Sequence, residues 1–438
     1  MIQTIERGPG LRGEVRCPGD KSISHRNAML AALARGRSEL RGFAGSRDCL
    51  STLDCLRLLG VKILVQGTTV TVFGRGLHGL QPPAQTLDAG NSGTTIRLLA
   101  GILAGQPFPA VLTGDESLSR RPMGRIIRPL RLMGADIGSR EGDLPPLRVS
   151  GGNLRAIRYA LPVASAQVKS CVLLAGLYGD GVTAVEEKVA TRDHTEIALG
   201  HFGGTVRRHG HWVEVDPGPR LQGREVDIPG DLSGAAFFIV AAALVPGSEI
   251  LLPGIGLNPS RRALVDYLRS AGVRVTVENE SKGAGEPRGD LRASYDRAAL
   301  EQPLPRIEGA AAAALIDEIP ILAVLGSQAG GLEIRDAGEL RVKESDRIAT
   351  VAAGLRAMGA EVREAADGLV VAGRQRLAGA GIPTHGDHRI AMAFAVAALA
   401  ASGRTEIHQA ECADVSFPGF FDILNQARSG AHSPGHSK

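Results

Sequence analysis

Along this chain, polar helix starts and long apolar runs alternate in a pattern that recurs. Six times a polar residue opens an Ala/Leu-rich stretch, near Ser24, Ser92, Ser165, Ser233, Asp317 and Asp387. A short β-type segment follows each one, at 38–43, 110–113, 182–186, 249–252, 331–334 and 405–408. A second marker is Leu-Arg-x-x-Gly, beginning at Leu56, Leu130, Leu268 and Leu355, with a degenerate copy at Leu199. It reads as a helix end with Gly just past the last turn, then entry into a strand. These starts lie 74, 69, 69 and 87 residues apart. Self-similarity of this kind means one supersecondary unit used repeatedly. Each of the six copies reads helix, strand, helix, strand, with further strand between. The runs 235–245 and 391–401 are apolar all round, as expected of helices buried on most faces.

The pattern predicts an α/β (α+β) fold of six units, three in each of two domains. The long fourth spacing is attributed to a polar, Gly-rich loop insertion at 279–297. The N-terminal stretch 3–16 is expected to complete the sixth unit, and the tail 429–438 to fray. The chain then crosses between domains twice, near 18–21 and 229–231, and two crossings make a hinge.

Composition narrows the class. A chain of 438 residues supports two or more domains. A net charge of +4 and 3% aromatic residues argue against nucleic acid as a partner. Five cysteines without CxxC spacing read as reduced thiols, not a disulfide frame or a metal site. The N-terminus carries no apolar signal region, and the longest apolar runs, 11 residues, are too short to span a bilayer. A cytoplasmic protein without a membrane partner is expected.

The candidate chemistry lies where polar residues fall within each repeat. There are seven lysines against forty-three arginines. One lysine stands in Pro18-Gly19-Asp20-Lys21-Ser22-Ile23-Ser24-His25-Arg26. A tunable ammonium beside a serine at a helix start, where backbone N–H groups are free, suits a phosphate or carboxylate. Similar helix starts occur at Asn91-Ser92-Gly93-Thr94-Thr95-Ile96-Arg97, Ser119-Arg120-Arg121-Pro122, Ser165-Ala166-Gln167-Val168-Lys169 and Thr191-Arg192-Asp193-His194. Others are Asp317-Glu318-Ile319-Pro320, Arg341 to Arg347 and Asp387-His388-Arg389. Taken singly, Arg97, Lys169 and Asp387 read as ordinary solvated caps. Taken together, the sites call for a polyanionic substrate, with Asp317 and Glu344 as acid–base candidates. One decoy fails. Gly74-Arg75-Gly76-Leu77-His78-Gly79 fits GxGxxG, but Leu-Gln-Pro-Pro follows it instead of a helix.

On these motifs, with Ser416-Phe417-Pro418, the chain resembles the EPSP synthases (3-phosphoshikimate 1-carboxyvinyltransferases) of the enolpyruvyl transferase family over essentially its whole length. The resemblance implies two domains of three βαβαββ units each, an inside-out α/β barrel, with residues 1–18 plus 231–438 in one and 19–230 in the other. It implies an active site in the interdomain cleft, closing like a clamshell. The implied reaction moves the enolpyruvyl group of phosphoenolpyruvate to the 5-hydroxyl of shikimate 3-phosphate. No metal or organic cofactor, and a monomer, are expected. Lys21, Ser22, Arg26, Ser165, Ala166, Gln167, Arg192, Asp317 and Lys343 would bind shikimate 3-phosphate. Lys21, Asn91, Gly93, Arg121, Gln167, Arg347, His388 and Arg389 would bind phosphoenolpyruvate. Asp317, Glu344 and Lys21 would be catalytic, with Asp317 taking the 5-hydroxyl proton and Glu344 protonating the methylene carbon. The related UDP-N-acetylglucosamine enolpyruvyl transferases carry a reactive Cys in a mobile loop, and the stretch 118–123 has none. Val415 stands where some members carry a Lys. Gly93, as Gly, implies sensitivity to glyphosate.

Overall fold

The computed structural model describes residues 1–282 and 285–430, apart from the side chain of Ala299. The end of the tail expected to fray lies outside the described residues. The chain divides into two compact units. The first contains Met1–Pro18, Pro229–Lys282 and the chain from Pro287 onward; the second is built on Gly19–Ile228.

The second unit holds three four-stranded sheets. In strand order, one is Glu225–Asp227, Arg35–Arg41, Thr69–Arg75 and Lys62–Gln66. The next is Leu87–Asp88, Pro109–Thr113, Leu144–Ser150 and Asp136–Arg140. The last is Arg158–Ala160, Thr183–Glu186, Trp212–Val215 and Val206–His209. In each, the first pair is parallel and the others antiparallel. Parallel neighbours need a crossover, and the helices supply it. The first unit repeats this plan with one four-stranded and two three-stranded sheets.

Each unit is centred on three largely buried helices. In the second unit they are Lys21–Leu33, Gly93–Ala104 and Ala166–Gly176. In the first they are Leu232–Leu244, Ile319–Gln328 and His388–Ala400. Every residue of Leu232–Leu244 is buried, which explains an apolar composition with no polar face. Each unit encloses its own hydrophobic core. The Leu-Arg-x-x-Gly marker has a direct backbone cause. Gly60, Gly134, Gly203, Gly272 and Gly359 all end helices at positive φ, between 81° and 97°. That conformation costs an L-residue about 1–2 kcal/mol.

Two expectations need correction. The segment 279–297 is not a loop insertion. Arg274–Lys282 and Pro287–Ser294 form an antiparallel hairpin continuing the Glu249–Gly256 sheet. Val275, Leu291 and Ala293 face the core while charged neighbours face out, an alternation masked by the polar composition. The stretch 3–16 also serves two units. Ile2–Glu6 pairs with Arg404–His408 in the sixth, whereas Arg12–Glu14 pairs parallel with Glu249–Gly256 in the fourth. Among the described residues, no single helix is long and apolar enough to cross a membrane.

Candidate functional site

In the second unit the three core helices begin close together, and side-chain caps hold each start. The Asp20 carboxylate accepts from the Ile23 N–H at 2.9 Å, Ser92 from Thr95 at 3.0 Å and Ser165 from Val168 at 3.4 Å. Hydrogen bonds tie the starts to one another. Arg97 donates to Gln167 Oε1 at 2.6 Å, and Gln167 Nε2 donates to Thr94 Oγ1 at 3.0 Å. His25 Nδ1 lies 2.7 Å from Thr52 Oγ1, which lies 2.6 Å from Thr95 Oγ1. Helix N-termini gathered this way make a surface with the geometry and polarity to receive an anion.

The cations belong to that surface. Lys21 Nζ is 2.9 Å from the Asp48 carboxylate, with the Lys21 side chain 19% exposed, so it is anchored and still accessible. Arg26 is almost wholly buried. It donates through Nε to Thr195 at 2.7 Å, through Nη1 to the Ser22 carbonyl at 2.9 Å and through Nη2 to Ser170 at 3.0 Å. Burial lowers its pKa to about 10, which leaves it charged at neutral pH. Arg121 donates to Asn91 Oδ1 at 2.8 Å, and Asn91 donates to Asp115 at 2.8 Å. Gly93 leaves room for the neighbouring guanidinium: a Cβ there would lie 2.7 Å from Arg97 Nη1. Ser22 sits in the first turn of its helix, Ala166 opens its own, and Arg192 lies in the segment before helix His194–Phe202. The second unit therefore brings together Lys21, Ser22, Arg26, Asn91, Gly93, Arg121, Ser165, Ala166, Gln167 and Arg192.

The first unit supplies the acid–base candidates. Asp317 precedes helix Ile319–Gln328, and three cations surround its carboxylate. Lys343 Nζ and Arg347 Nη1 are each 3.6 Å away, and Arg389 Nη2 is 4.0 Å away. Arg389 also donates to the Asp317 carbonyl at 2.8 Å, which fixes the backbone. Glu344 accepts from Arg347 at 2.5 Å. Arg347 is fully buried, and its Nε donates to Asp387 at 2.8 Å. Burial alone would lower its pKa, but the Asp387 and Glu344 carboxylates override that and raise it. Burial likewise opposes the charge on Asp387, yet Arg347 holds its pKa below the ordinary value. Arg347 Nη1 has no hydrogen-bond partner among the described residues, a donor that an anionic ligand would satisfy. His388 is buried in the first turn after Asp387.

Arg97, Lys169 and Asp387 are not solvated caps. Arg97 is half-buried against Gln167. Lys169 is fully buried between two carboxylates. Asp387 does cap its helix, accepting from the Arg389 N–H at 2.9 Å, but it also carries the Arg347 ion pair out of contact with water. The sequence alone did not single out Asp48, Thr195 or Ser170; Glu318, quoted beside Asp317, is buried and pairs with Arg261 at 3.2 Å. Glu318 was visible as a charge inside an apolar run, whereas Asp48 and Thr195 look like any first-turn residues. Thr69–Arg75, the strand entering the GxGxxG decoy, is antiparallel to both neighbours, unlike a dinucleotide-binding strand. Among the described residues, no group of three or more His, Cys, Asp or Glu could hold a metal ion.

Residues 5–424 match the family model described as EPSP synthase (3-phosphoshikimate 1-carboxyvinyltransferase). The chain is 52% identical over 427 residues to the 3-phosphoshikimate 1-carboxyvinyltransferase of Solibacter usitatus, covering 97% of this chain and 99% of that one. It is 54% identical to that of Desulforudis audaxviator, covering 98% and 100%. Its fold matches the solved EPSP synthase of Acinetobacter baumannii with a TM-score of 0.86 at 42% identity, covering 97% and 98%.

Proposed function

Because the chain belongs to the EPSP synthase family, we propose that it transfers the enolpyruvyl group of phosphoenolpyruvate to the 5-hydroxyl of shikimate 3-phosphate, releasing phosphate. The observation that carries this reading is the division of labour between the units. One gathers cations at helix starts; the other gathers two carboxylates among Lys343, Arg347 and Arg389. Cations and carboxylates in this combination suit two anionic substrates and a reaction of proton transfers.

Arg26, Lys21 and the Ser165 helix start bind the 3-phosphate, with Ser22, Ala166, Gln167, Arg192 and Lys343 completing the shikimate side. Arg121, Arg347 and Arg389 bind the phosphate and carboxylate of phosphoenolpyruvate, helped by Asn91, Gly93, Lys21, Gln167 and His388. Asp317 accepts the 5-hydroxyl proton as that oxygen bonds to C2 of phosphoenolpyruvate. Glu344, entering the cycle protonated, delivers its proton to C3, giving a tetrahedral ketal with a methyl group. The C2–O bond to phosphate then breaks, the bonding pair leaving with phosphate, and the methyl group returns a proton to the Glu344 carboxylate to restore the enol ether. Cations placed in advance around these carboxylates stabilise the charge that develops.

The test is release of inorganic phosphate from phosphoenolpyruvate on addition of shikimate 3-phosphate, with UDP-N-acetylglucosamine as the parallel acceptor. Release with the sugar nucleotide alone overturns the reading. Glyphosate, whose phosphonate and carboxylate present similar charges, should compete with phosphoenolpyruvate because Gly93 leaves the site open. An inhibition constant far above the phosphoenolpyruvate Michaelis constant would contradict that part.

A further inference from the structure

Lys169 is the most deeply buried lysine among the described residues, and the mechanism does not use it. Its Nζ lies 3.0 Å from Glu187 and 2.6 Å from Glu196, and its side chain is 0% exposed. Glu187 is equally buried and accepts four ways: from Lys169, from Arg208 at 2.5 Å, and from both the N–H and the hydroxyl of Thr191, at 3.1 and 2.7 Å. Lys169 Nζ also donates to the Thr191 carbonyl at 3.5 Å. Four residues further on, Thr195 accepts from Arg26 and donates to Ser170 at 2.7 Å. The segment carrying Arg192 is therefore clamped at both ends, at Thr191 by a buried ion cluster and at Thr195 by Arg26.

Burying three charges is expensive, and an apolar cluster of similar volume would generally stabilise a fold as well or better. What this cluster does that an apolar one could not is hold Thr191 by directed bonds. We infer that Lys169 and Glu187 are positioning residues for shikimate 3-phosphate binding, which fix the segment carrying Arg192 so that its guanidinium meets the 3-phosphate. This inference rests on the function proposed above.

The experiment compares Michaelis constants for the two substrates. Glu187→Gln should raise that for shikimate 3-phosphate about tenfold, the scale of losing charge-assisted bonds. It should leave kcat and the phosphoenolpyruvate constant within about twofold. Lys169→Met should show the same split, and Lys169→Arg should restore part of it. In an Arg192→Ala background, Glu187→Gln should add nothing, because the group it positions is gone. If Glu187→Gln does not fold, Thr191→Val removes one of the same bonds at a half-buried position and should give a smaller shift in the same constant. An unchanged shikimate 3-phosphate constant overturns the inference. So does an equal rise in both constants, or an effect that multiplies with Arg192→Ala. Wild-type phosphate release with shikimate 3-phosphate decides the underlying reading separately.

Discussion

Asp317 and Glu344 stand 27 residues apart in sequence, yet both meet Arg347. Holding two carboxylates on one buried guanidinium sets them at a fixed separation, which proton transfer to neighbouring atoms requires. Asp317→Asn should lower kcat by roughly 10²–10⁴-fold, the range for removing a general base, with the shikimate 3-phosphate constant rising because the ring hydroxyls lose an acceptor. Steady-state kinetics in both substrates checks this. A second residue-scale prediction concerns His25. Burial, then the charges of Lys21 and Arg26, push its pKa well below the usual imidazole value. The folded state keeps the ring neutral, while the unfolded chain takes up a proton below about pH 6.5. Stability is therefore complete above that pH and falls as pH drops below it, by at most about 1.4 kcal/mol per pH unit from this group. His25→Asn should flatten the fall in Tm between pH 6.5 and 5; an equally steep fall would contradict the assignment.

At the scale of elements, the repeat was legible because backbone geometry wrote it into the sequence. The Gly of each Leu-Arg-x-x-Gly marker occupies a left-handed position, so the marker survives where the surrounding apolar residues vary. Gly359→Ala meets no neighbour within 4 Å, so its cost is conformational. A loss of about 1–2 kcal/mol and a Tm lower by a few degrees, with kinetics unchanged, is expected. Thermal denaturation beside a kinetic assay checks it. The hairpin at Arg274–Lys282 and Pro287–Ser294 was not legible, because Gly, Pro and charges dominate its composition and only a few apolar positions reveal the alternation. Ion pairs across the fold were equally invisible. Asp387 with Arg347 and Lys169 with Glu187 depend on which helices lie side by side, which helix-start chemistry does not encode.

For the molecule as a whole, two hydrophobic cores, each built on three buried helices, carry the helix starts. Many of the residues singled out from the sequence, such as Lys21, Gly93, Ser165, Asp317 and Arg389, fall at those starts, while Arg121, Arg192, Lys343, Glu344 and Arg347 lie at or just before the starts of the neighbouring helices. Binding an anion there stabilises the folded state by mass action. Shikimate 3-phosphate at 100 times its Kd should add about 2.7 kcal/mol and raise Tm, whereas UDP-N-acetylglucosamine at the same concentration should not. Equal stabilisation by the sugar nucleotide would show that the cationic helix starts do not select the proposed acceptor. The most direct test of the account is the rate of phosphate release from phosphoenolpyruvate with shikimate 3-phosphate, wild type beside Glu344→Gln. The account predicts turnover by the wild type and a kcat at least about 100-fold lower in the variant, with both Michaelis constants within a few-fold. Full turnover by Glu344→Gln, or none by the wild type, would contradict it.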